Sequence, residues 1–208
     1  MFPDPSSSPA SYAKYFFIRF PQVVAAANAE GGGWIPTFSN VVHFEVDIGL
    51  TWGTDLPETQ LAPFYGFSPV IKSLRMSISV ALSPQVFDLI RSFPLLEALS
   101  LNHSSFDRWI GGGDDFIWQP AGVILPLNPP AFTGTLELSL ETRIDPAASW
   151  LLSLPRGPHF PELCLTWKCK EDVALTTALI EKCSSTLESL VIGPRPGSGT
   201  LILHLPLH

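Results

Sequence analysis

The sequence predicts an α/β protein in which a repeated strand, followed by a short helix or a loop, builds one parallel sheet. Two observations lead to this prediction. An apolar triplet at offsets of zero, three and five recurs along the chain, and amphipathic segments lie between its copies. Strands that alternate with helices at this spacing are joined by crossovers, so each strand pairs in parallel with its neighbour.

The triplet is clearest in SFPLLEALSL, where Leu96, Leu99 and Leu101 stand at these offsets. Full copies start at residues 41, 71 and 187, and copies that keep only the last two apolar positions start at 135 and 162. The six starts are 30, 25, 39, 27 and 25 residues apart, within and above the period of leucine-rich repeats. The five further copies are Val41, Phe44, Val46; Ile71, Leu74, Met76; Thr135, Leu138, Leu140; Glu162, Leu165, Trp167; and Leu187, Leu190, Ile192.

These intervals predict an irregular leucine-rich-repeat-like solenoid. Its parallel sheet would form one face, and short helices and Pro- and Gly-rich loops would form the other. The positions that alternate with the apolar ones are mostly polar, as in a sheet with one buried and one exposed face. We predict that the exposed face binds a partner through His43, Glu45, Asp47, Ser73, Arg75, Ser77, Ser100, Asn102, Glu137, Ser139, Glu141, Thr166 and Lys168.

Three segments between the strands have the sequence signals of short helices. In SPQVFDLIRSFP, Ser83 can cap and Pro84 can start a helix with apolar residues at helical spacing. DPAASWLLSLP begins similarly, with Asp145 as the cap and Pro146 in the first turn. KEDVALTTALIEKCSS has acidic residues early and a lysine late, which the helix dipole favours. Its predicted buried stripe is Val173, Leu175, Leu179, Ile180 and Cys183.

The two ends of the chain have weaker patterns. Residues 1–14 are rich in Pro and Ser, and we expect a disordered or extended segment there, followed by a single domain over 15–208. The triplet Tyr15, Ile18 and Phe20 predicts one more strand at the start of that domain. At the other end, alternating leucines in TLILHLPLH predict a last strand that covers the end of the sheet.

Composition narrows the classes of partner and compartment. The net charge of −7 opposes the electrostatic attraction on which nucleic-acid binding depends, so we expect no nucleic-acid partner. No apolar run has the length of a membrane span, and the start lacks the features of a signal peptide. Three cysteines are not typical of a secreted disulfide framework. We therefore expect a soluble intracellular protein, in the cytoplasm or nucleus, that is not bound to a membrane.

The residue types used in catalysis and metal binding do not form a recognised motif. Zinc sites favour closer cysteine pairs than Cys164 and Cys169, even if His159 and Cys183 are counted with them. The Gly-rich stretches lack the Lys and Ser or Thr of a phosphate loop, and no nucleophile elbow is present. An acid–base cluster on the face at residues 43–47 is the remaining catalytic candidate, but such rows are typically partner surfaces. We expect no metal, no cofactor and no enzyme activity.

The phrases FSNVVHFEV, GFSPVIKSLRMSIS, VFDLIRSFPLLEALSL and CSSTLESLVIG resemble the leucine-rich-repeat-like region of F-box proteins from mushroom-forming fungi. The resemblance covers residues 15–193. It implies a substrate-recognition module, because in that family the F-box binds the Skp adaptor of a ubiquitin ligase and the repeat region presents substrates. No segment before residue 15 has the length of an F-box, so binding of the Skp adaptor is not expected from this chain.

Two functions from different classes stay open at this point. The first is a non-enzymatic module that binds another protein on its polar strand face, and acidic positions there suit a partner with basic groups. The second is a small-ligand hydrolase on an irregular α/β scaffold, with residues 106–131 as a lid. A third possibility is a truncated product without an independent role, whose uncapped repeat ends would aggregate.

Overall fold

A computed structural model describes residues 9–20, 38–48, 64–65, 67–78, 84–103, 130, 132–139, 145–154, 157–167, 172–194 and 201–203. Within these ranges lie a 3₁₀ turn at Pro9–Tyr12, eight strands and three α-helices. The helices are α1 (Pro84–Arg91), α2 (Asp145–Ser153) and α3 (Asp172–Cys183). The strands are β1 (Tyr15–Phe20), β2 (His43–Ile48), β3 (Ser73–Ile78), β4 (Ala98–His103), β5 (Thr135–Ser139), β6 (Glu162–Trp167), β7 (Ser189–Pro194) and β8 (Leu201–Leu203).

All eight strands belong to one sheet whose spatial order is the order of the chain. β1 to β7 pair in parallel, and β8 adds to β7 in the antiparallel direction. The predicted α/β class with a parallel sheet is therefore confirmed. The predicted last strand is also present at β8, although Leu205 lies outside the described residues.

The chain enters successive strands through a repeated hydrogen-bond pattern. The carbonyl of Lys14 accepts bonds from two consecutive backbone N–H groups, those of Val42 and His43, both at 2.9 Å. The carbonyls of Val42, Lys72 and Pro161 each accept a pair of bonds in the same way from the start of the next strand. These bonds align β2, β3, β4 and β7 with the strand before each of them at the point where the strand begins.

The inner face of the sheet consists of two continuous apolar rows that cross seven strands. The helices pack on this face, because their buried residues share one core with both rows. Every member is buried or partly buried. The first row is Phe16, Phe44, Leu74, Leu99, Leu136, Leu163 and Leu190, and the second is Ile18, Val46, Met76, Leu101, Leu138, Leu165 and Ile192.

The register corrects the predicted alignment of β1, β5 and β6 by two residues. The sequence aligns Leu138 with Leu99, but Leu99 pairs with Leu136. β5 and β6 begin at Thr135 and Glu162, which the sequence predicts as the first members of inner triplets, so these two residues alternate with the inner rows and lie on the other face. In β1 the shift removes Tyr15 from the core and leaves it exposed. Ile18, Leu138 and Leu165 stay on the inner face as predicted, because strand side chains alternate with a period of two and a shift of two residues does not change their face.

Two groups of aromatic rings fill the core beneath the sheet, one near β1 and β2 and one near β5 and β6. Near β1 and β2, Phe44 lies 4.9 Å from Phe67 and 6.0 Å from Phe93, between ring centroids. Near β5 and β6, Trp150 of α2 stacks on Phe87 of α1 at 5.0 Å. Phe132 joins this second group, with its ring edge-on to Trp150. Such contacts add to the stabilisation from buried area and hold the helices against the sheet.

The three predicted helices are confirmed, with one error in the predicted stripe of α3. Leu179 and Cys183 are buried as expected, but Val173 is 50% exposed and Thr176 is buried instead. Thr176, Leu179 and Cys183 are spaced three and four residues apart, which places them on one side of a helix. The first turn therefore points its valine to solvent, although valine is the more apolar residue.

The 3₁₀ turn Pro9–Tyr12 lies in the segment for which the sequence predicts disorder or an extended chain. Ala13 after it packs against the core. Most of the predicted lid at 106–131 lies outside the described residues, as do the Gly-rich stretches at 31–33 and 111–113. No helix within the described ranges is long and apolar enough to cross a membrane.

Candidate functional site

The outer face of the sheet, opposite the helices, carries three rows of side chains that continue from strand to strand. We define it by the strand positions that alternate with the two inner rows. The first row is Tyr15, His43, Ser73, Ala98, Thr135, Glu162 and Ser189; the second is Phe17, Glu45, Arg75, Ser100, Glu137, Cys164 and Val191; the third is Arg19, Asp47, Ser77, Asn102, Ser139, Thr166 and Gly193. Gly193 is buried, and the other members are exposed or half-buried.

Most of the residues that the sequence predicts for the partner face lie together on this surface. The eleven that the structure describes occupy adjacent strands, from His43 on β2 to Thr166 on β6. Glu141 and Lys168 lie outside the described residues. The two-residue shift changes the neighbours of Glu137, which stands beside Ser100 and Cys164. The predicted alignment pairs Glu137 with Ala98 and is wrong on that point.

The acidic residues of β2 form a hydrogen bond and an ion pair with side chains of the neighbouring strand β1. The Tyr15 hydroxyl donates a hydrogen bond to the carboxylate of Glu45. Further along the same two strands, the Arg19 Nε lies 3.0 Å from Asp47 Oδ2. The hydrogen bond to Glu45 raises the pKa of the Tyr15 phenol, and nearby Arg75 partly opposes this effect. Both carboxylates of β2 therefore have a partner on β1.

A second polar network crosses β4, β5 and β6. The Ser100 hydroxyl donates to Glu137 Oε2 at 2.7 Å, and the Asn102 amide donates to Ser100 Oγ at 3.2 Å. On the next pair of strands, the Thr135 hydroxyl donates to Glu162 Oε2 at 2.8 Å. Thr166 donates to Ser139 Oγ at 3.1 Å. Each bond joins side chains that are neighbours in the register or along one strand. The bonds therefore orient the side chains of the outer face while leaving them exposed or half-buried.

Sequence reasoning missed Tyr15, Phe17 and Arg19 on β1, and it assigned Thr135 and Glu162, which also lie on the outer face, to the inner triplets. Tyr15 and Phe17 are 56% and 46% exposed, and the Arg19 guanidinium lies 6.0 Å from the centre of the Phe17 ring. The signal that could have found the β1 residues is the alternation in YFFIRF, where Tyr15, Phe17 and Arg19 alternate with Phe16 and Ile18. Exposed aromatic rings next to an arginine are typical of protein interfaces.

The two cysteines in the described part of the chain lie on opposite sides of the sheet. Cys164 is half-buried on the outer face, whereas Cys183 is buried in α3 on the inner side, and its thiol donates to the Pro158 carbonyl at 3.6 Å. Burial raises the pKa of the Cys164 thiol, and the charge of Glu137 adds to this effect. Burial also raises the pKa of Cys183. Both thiols are therefore poor nucleophiles at neutral pH.

Metal-binding residues do not converge in the described ranges, where no group of three or more His, Cys, Asp or Glu side chains could hold an ion. Among the candidate zinc ligands, His159 is exposed and Cys169 lies outside the described residues. The surface formed by the three outer rows is thus the candidate site, and its chemistry is that of hydrogen bonding, charge and exposed aromatic area.

Comparisons with known proteins give no family for this chain. No protein-family model, curated protein or solved structure matches it.

Proposed function

We propose that this chain is a non-enzymatic module that binds another protein on the outer face of its sheet. The observation that supports the proposal is the face itself. Three rows of polar, charged and aromatic side chains run across neighbouring parallel strands, while the helices pack on the opposite side. Regular rows on a broad surface suit contact with a macromolecule, because many weak contacts can be made at once.

The proposal includes an irregular leucine-rich-repeat-like architecture. In its favour, each strand pairs with the strands next to it in sequence, and the paired carbonyl bonds recur at four strand entries. The inner rows are leucine-rich from β3 onward. In repeat proteins each unit contacts only its neighbours, and the strands together present an extended binding surface.

The resemblance to F-box proteins gives the proposed module a role. By that resemblance, the bound protein would be a substrate for ubiquitination, and recruitment of the ligase would belong to an F-box. The outer face supports recognition through charge, since Glu45, Asp47, Glu137 and Glu162 outnumber Arg19 and Arg75 among its described residues. A partner with basic groups fits this balance.

Affinity capture with charge variants tests the proposal. The face variant combines Glu45→Lys and Glu137→Lys, two residues of the second row. The matched control combines Glu181→Lys on α3 with Glu188→Lys just before β7, two exposed positions outside the three rows. Both variants change the net charge by the same amount, so a general electrostatic effect would appear in both.

We expect a protein that the wild type and the control retain and the face variant loses, with affinity at least about tenfold lower. Circular dichroism and thermal unfolding must first show that both variants fold like the wild type. The proposal is wrong if every captured protein binds the face variant as tightly as the wild type, or if the control weakens binding equally.

A further inference from the structure

The two ends of the outer face differ in how their charges are balanced. Toward β1, the charges are balanced, because Arg19 pairs with Asp47 and Arg75 stands beside Glu45 in the register. Toward β5 and β6, Glu137 and Glu162 have no Lys or Arg among the described outer residues of β4 to β7. A partner therefore meets aromatic surface at one end and uncompensated negative charge at the other.

The β1 end of the outer face presents exposed apolar surface, and the position of a cation near its aromatic ring is already taken by Arg19. Phe17 already has the Arg19 guanidinium 6.0 Å from its ring centre, and that guanidinium is held by Asp47. Even so, Phe17 and Tyr15 keep about half of their surface exposed. Two of the five large apolar side chains that are exposed in the described ranges thus lie on β1 itself. Covering them with an apolar group would be favourable.

The β5–β6 end offers carboxylates that are already oriented. Ser100 holds Glu137 and Thr135 holds Glu162, each by one hydroxyl bond to a single carboxylate oxygen. A carboxylate has about four acceptor positions, so each retains sites for a further donor. A basic side chain is the complementary group.

We propose that the partner of the outer face presents an apolar side chain to Tyr15 and Phe17 and a basic side chain to Glu137 and Glu162. This inference rests on the proposed function and specifies the chemistry of the partner. Phe17 and Glu137 belong to the same row, on β1 and β5, and are separated by four strand steps. At about 4.8 Å for each step, the two contact points lie about 19 Å apart.

This spacing limits the partner segment. A helix rises about 1.5 Å per residue, so the two side chains would be about 13 residues apart on a helix that crosses the strands. In an extended segment they would be about six residues apart. Arg75 lies between the two points and should exclude a second basic group at the middle of the segment.

A selection with random 16-residue peptides displayed on phage tests the proposal on the immobilised full chain. We expect enriched peptides to share one Lys or Arg and one aromatic or large aliphatic residue at a fixed separation. Synthetic copies should bind Phe17→Ala and Glu137→Gln each about tenfold more weakly than the wild type. The control Glu181→Gln, on α3, should bind them normally.

Changing the peptide as well assigns each contact to its partner. Replacing the basic residue of the peptide by Ala should weaken binding to the wild type and to Phe17→Ala, but not weaken it further for a double variant that combines Glu137→Gln with Glu162→Gln. Two results would overturn this inference and leave the proposed function intact. In the first, the peptides contain no basic residue but lose affinity for Arg75→Glu. In the second, the peptides bind Phe17→Ala as tightly as the wild type. If no peptide is sensitive to any outer-face variant, both are overturned.

Discussion

The two faces of the sheet are built from alternate residues of the same strands, yet they have opposite chemistry. The inner rows are apolar on all seven parallel strands, and the helices bury them. The outer rows carry hydroxyls, carboxylates, two arginines and exposed aromatic rings. The buried core and the exposed polar surface are therefore only one residue apart along the chain, because a strand sends successive side chains to opposite faces.

This separation makes the outer face open to mutation. Its ion pair and hydrogen bonds join exposed or half-buried groups, and such links contribute little to stability. The inner rows have no such tolerance, because every change there alters a close-packed core. The four predictions below test this difference, beginning with the largest expected effect.

Neighbouring Asp substitutions on β3 should have very different consequences. Leu74 is buried in the first inner row, whereas Ser73 is half-buried in the first outer row. Leu74→Asp places a charge in the core and should cost about 4 kcal/mol or more, enough to unfold the chain. Ser73→Asp should change the free energy of unfolding by about 1 kcal/mol or less. Urea unfolding followed by circular dichroism measures both, and similar losses would contradict the assignment of faces.

Two phenylalanines on neighbouring strands give a second matched pair. Phe44 is 1% exposed among other rings, and Phe17 is 46% exposed on the outer face. Phe44→Ala should cost about 3–5 kcal/mol through lost burial and a cavity. Phe17→Ala should cost about 1 kcal/mol or less, since little apolar area is lost. Denaturant midpoints provide the measurement, and a larger loss for Phe17→Ala would mean that its ring belongs to the core.

The bond between Tyr15 and Glu45 should appear in the alkaline titration of the folded protein. The pKa of Tyr15 is raised above its ordinary value of 10.0, mainly because the neutral phenol donates to the Glu45 carboxylate. The stabilisation is complete below that value and is lost as the pH rises through the elevated pKa. Ultraviolet absorbance of tyrosinate should show late ionisation of one tyrosine, which Tyr15→Phe removes. In Glu45→Ala, Tyr15 should ionise at lower pH; an unchanged titration would show that the bond is absent.

The smallest effect on stability is expected for an exposed ion pair between the residues just before β3 and β4. Lys72 Nζ lies 2.7 Å from Glu97 Oε1, with about half of each side chain exposed. Because water screens this pair, Lys72→Met or Glu97→Gln should change the free energy of unfolding by about 0.5 kcal/mol or less. The double variant tests whether the two effects are coupled. A coupling above 1 kcal/mol would show that polar links contribute to stability as much as a core contact does.

Much of the site could be read from the sequence because face assignment depends only on alternation. Ser73, Arg75 and Ser77 alternate with Leu74 and Met76, and that pattern alone separates the two faces. Helix positions were equally accessible, since a proline in the first turn precedes an apolar stripe in α1 and α2. These signals are local, and local signals are present in the sequence itself.

Which residues become neighbours could not be read in the same way. A period of two is unchanged by a shift of two residues, so it cannot distinguish Leu136 from Leu138 as the partner of Leu99. The triplet also does not show where a strand begins, so Tyr15, predicted as an inner residue, lies within β1 and faces outward. In α3, the sequence favours Val173 over Thr176 by polarity, but Thr176 is the residue on the same side of the helix as the buried Leu179 and Cys183.

The sequence by itself determined the α/β class, the alternation of strand faces and the positions of three helices, because each follows from periodicity and from capping residues over a few turns. Only the tertiary structure decided the register between strands, and with it the row that joins Phe17 to Glu137 across five strands. Backbone bonds at the strand entries and the fit of the side chains beneath the sheet select that register, and both involve residues that are distant in the chain.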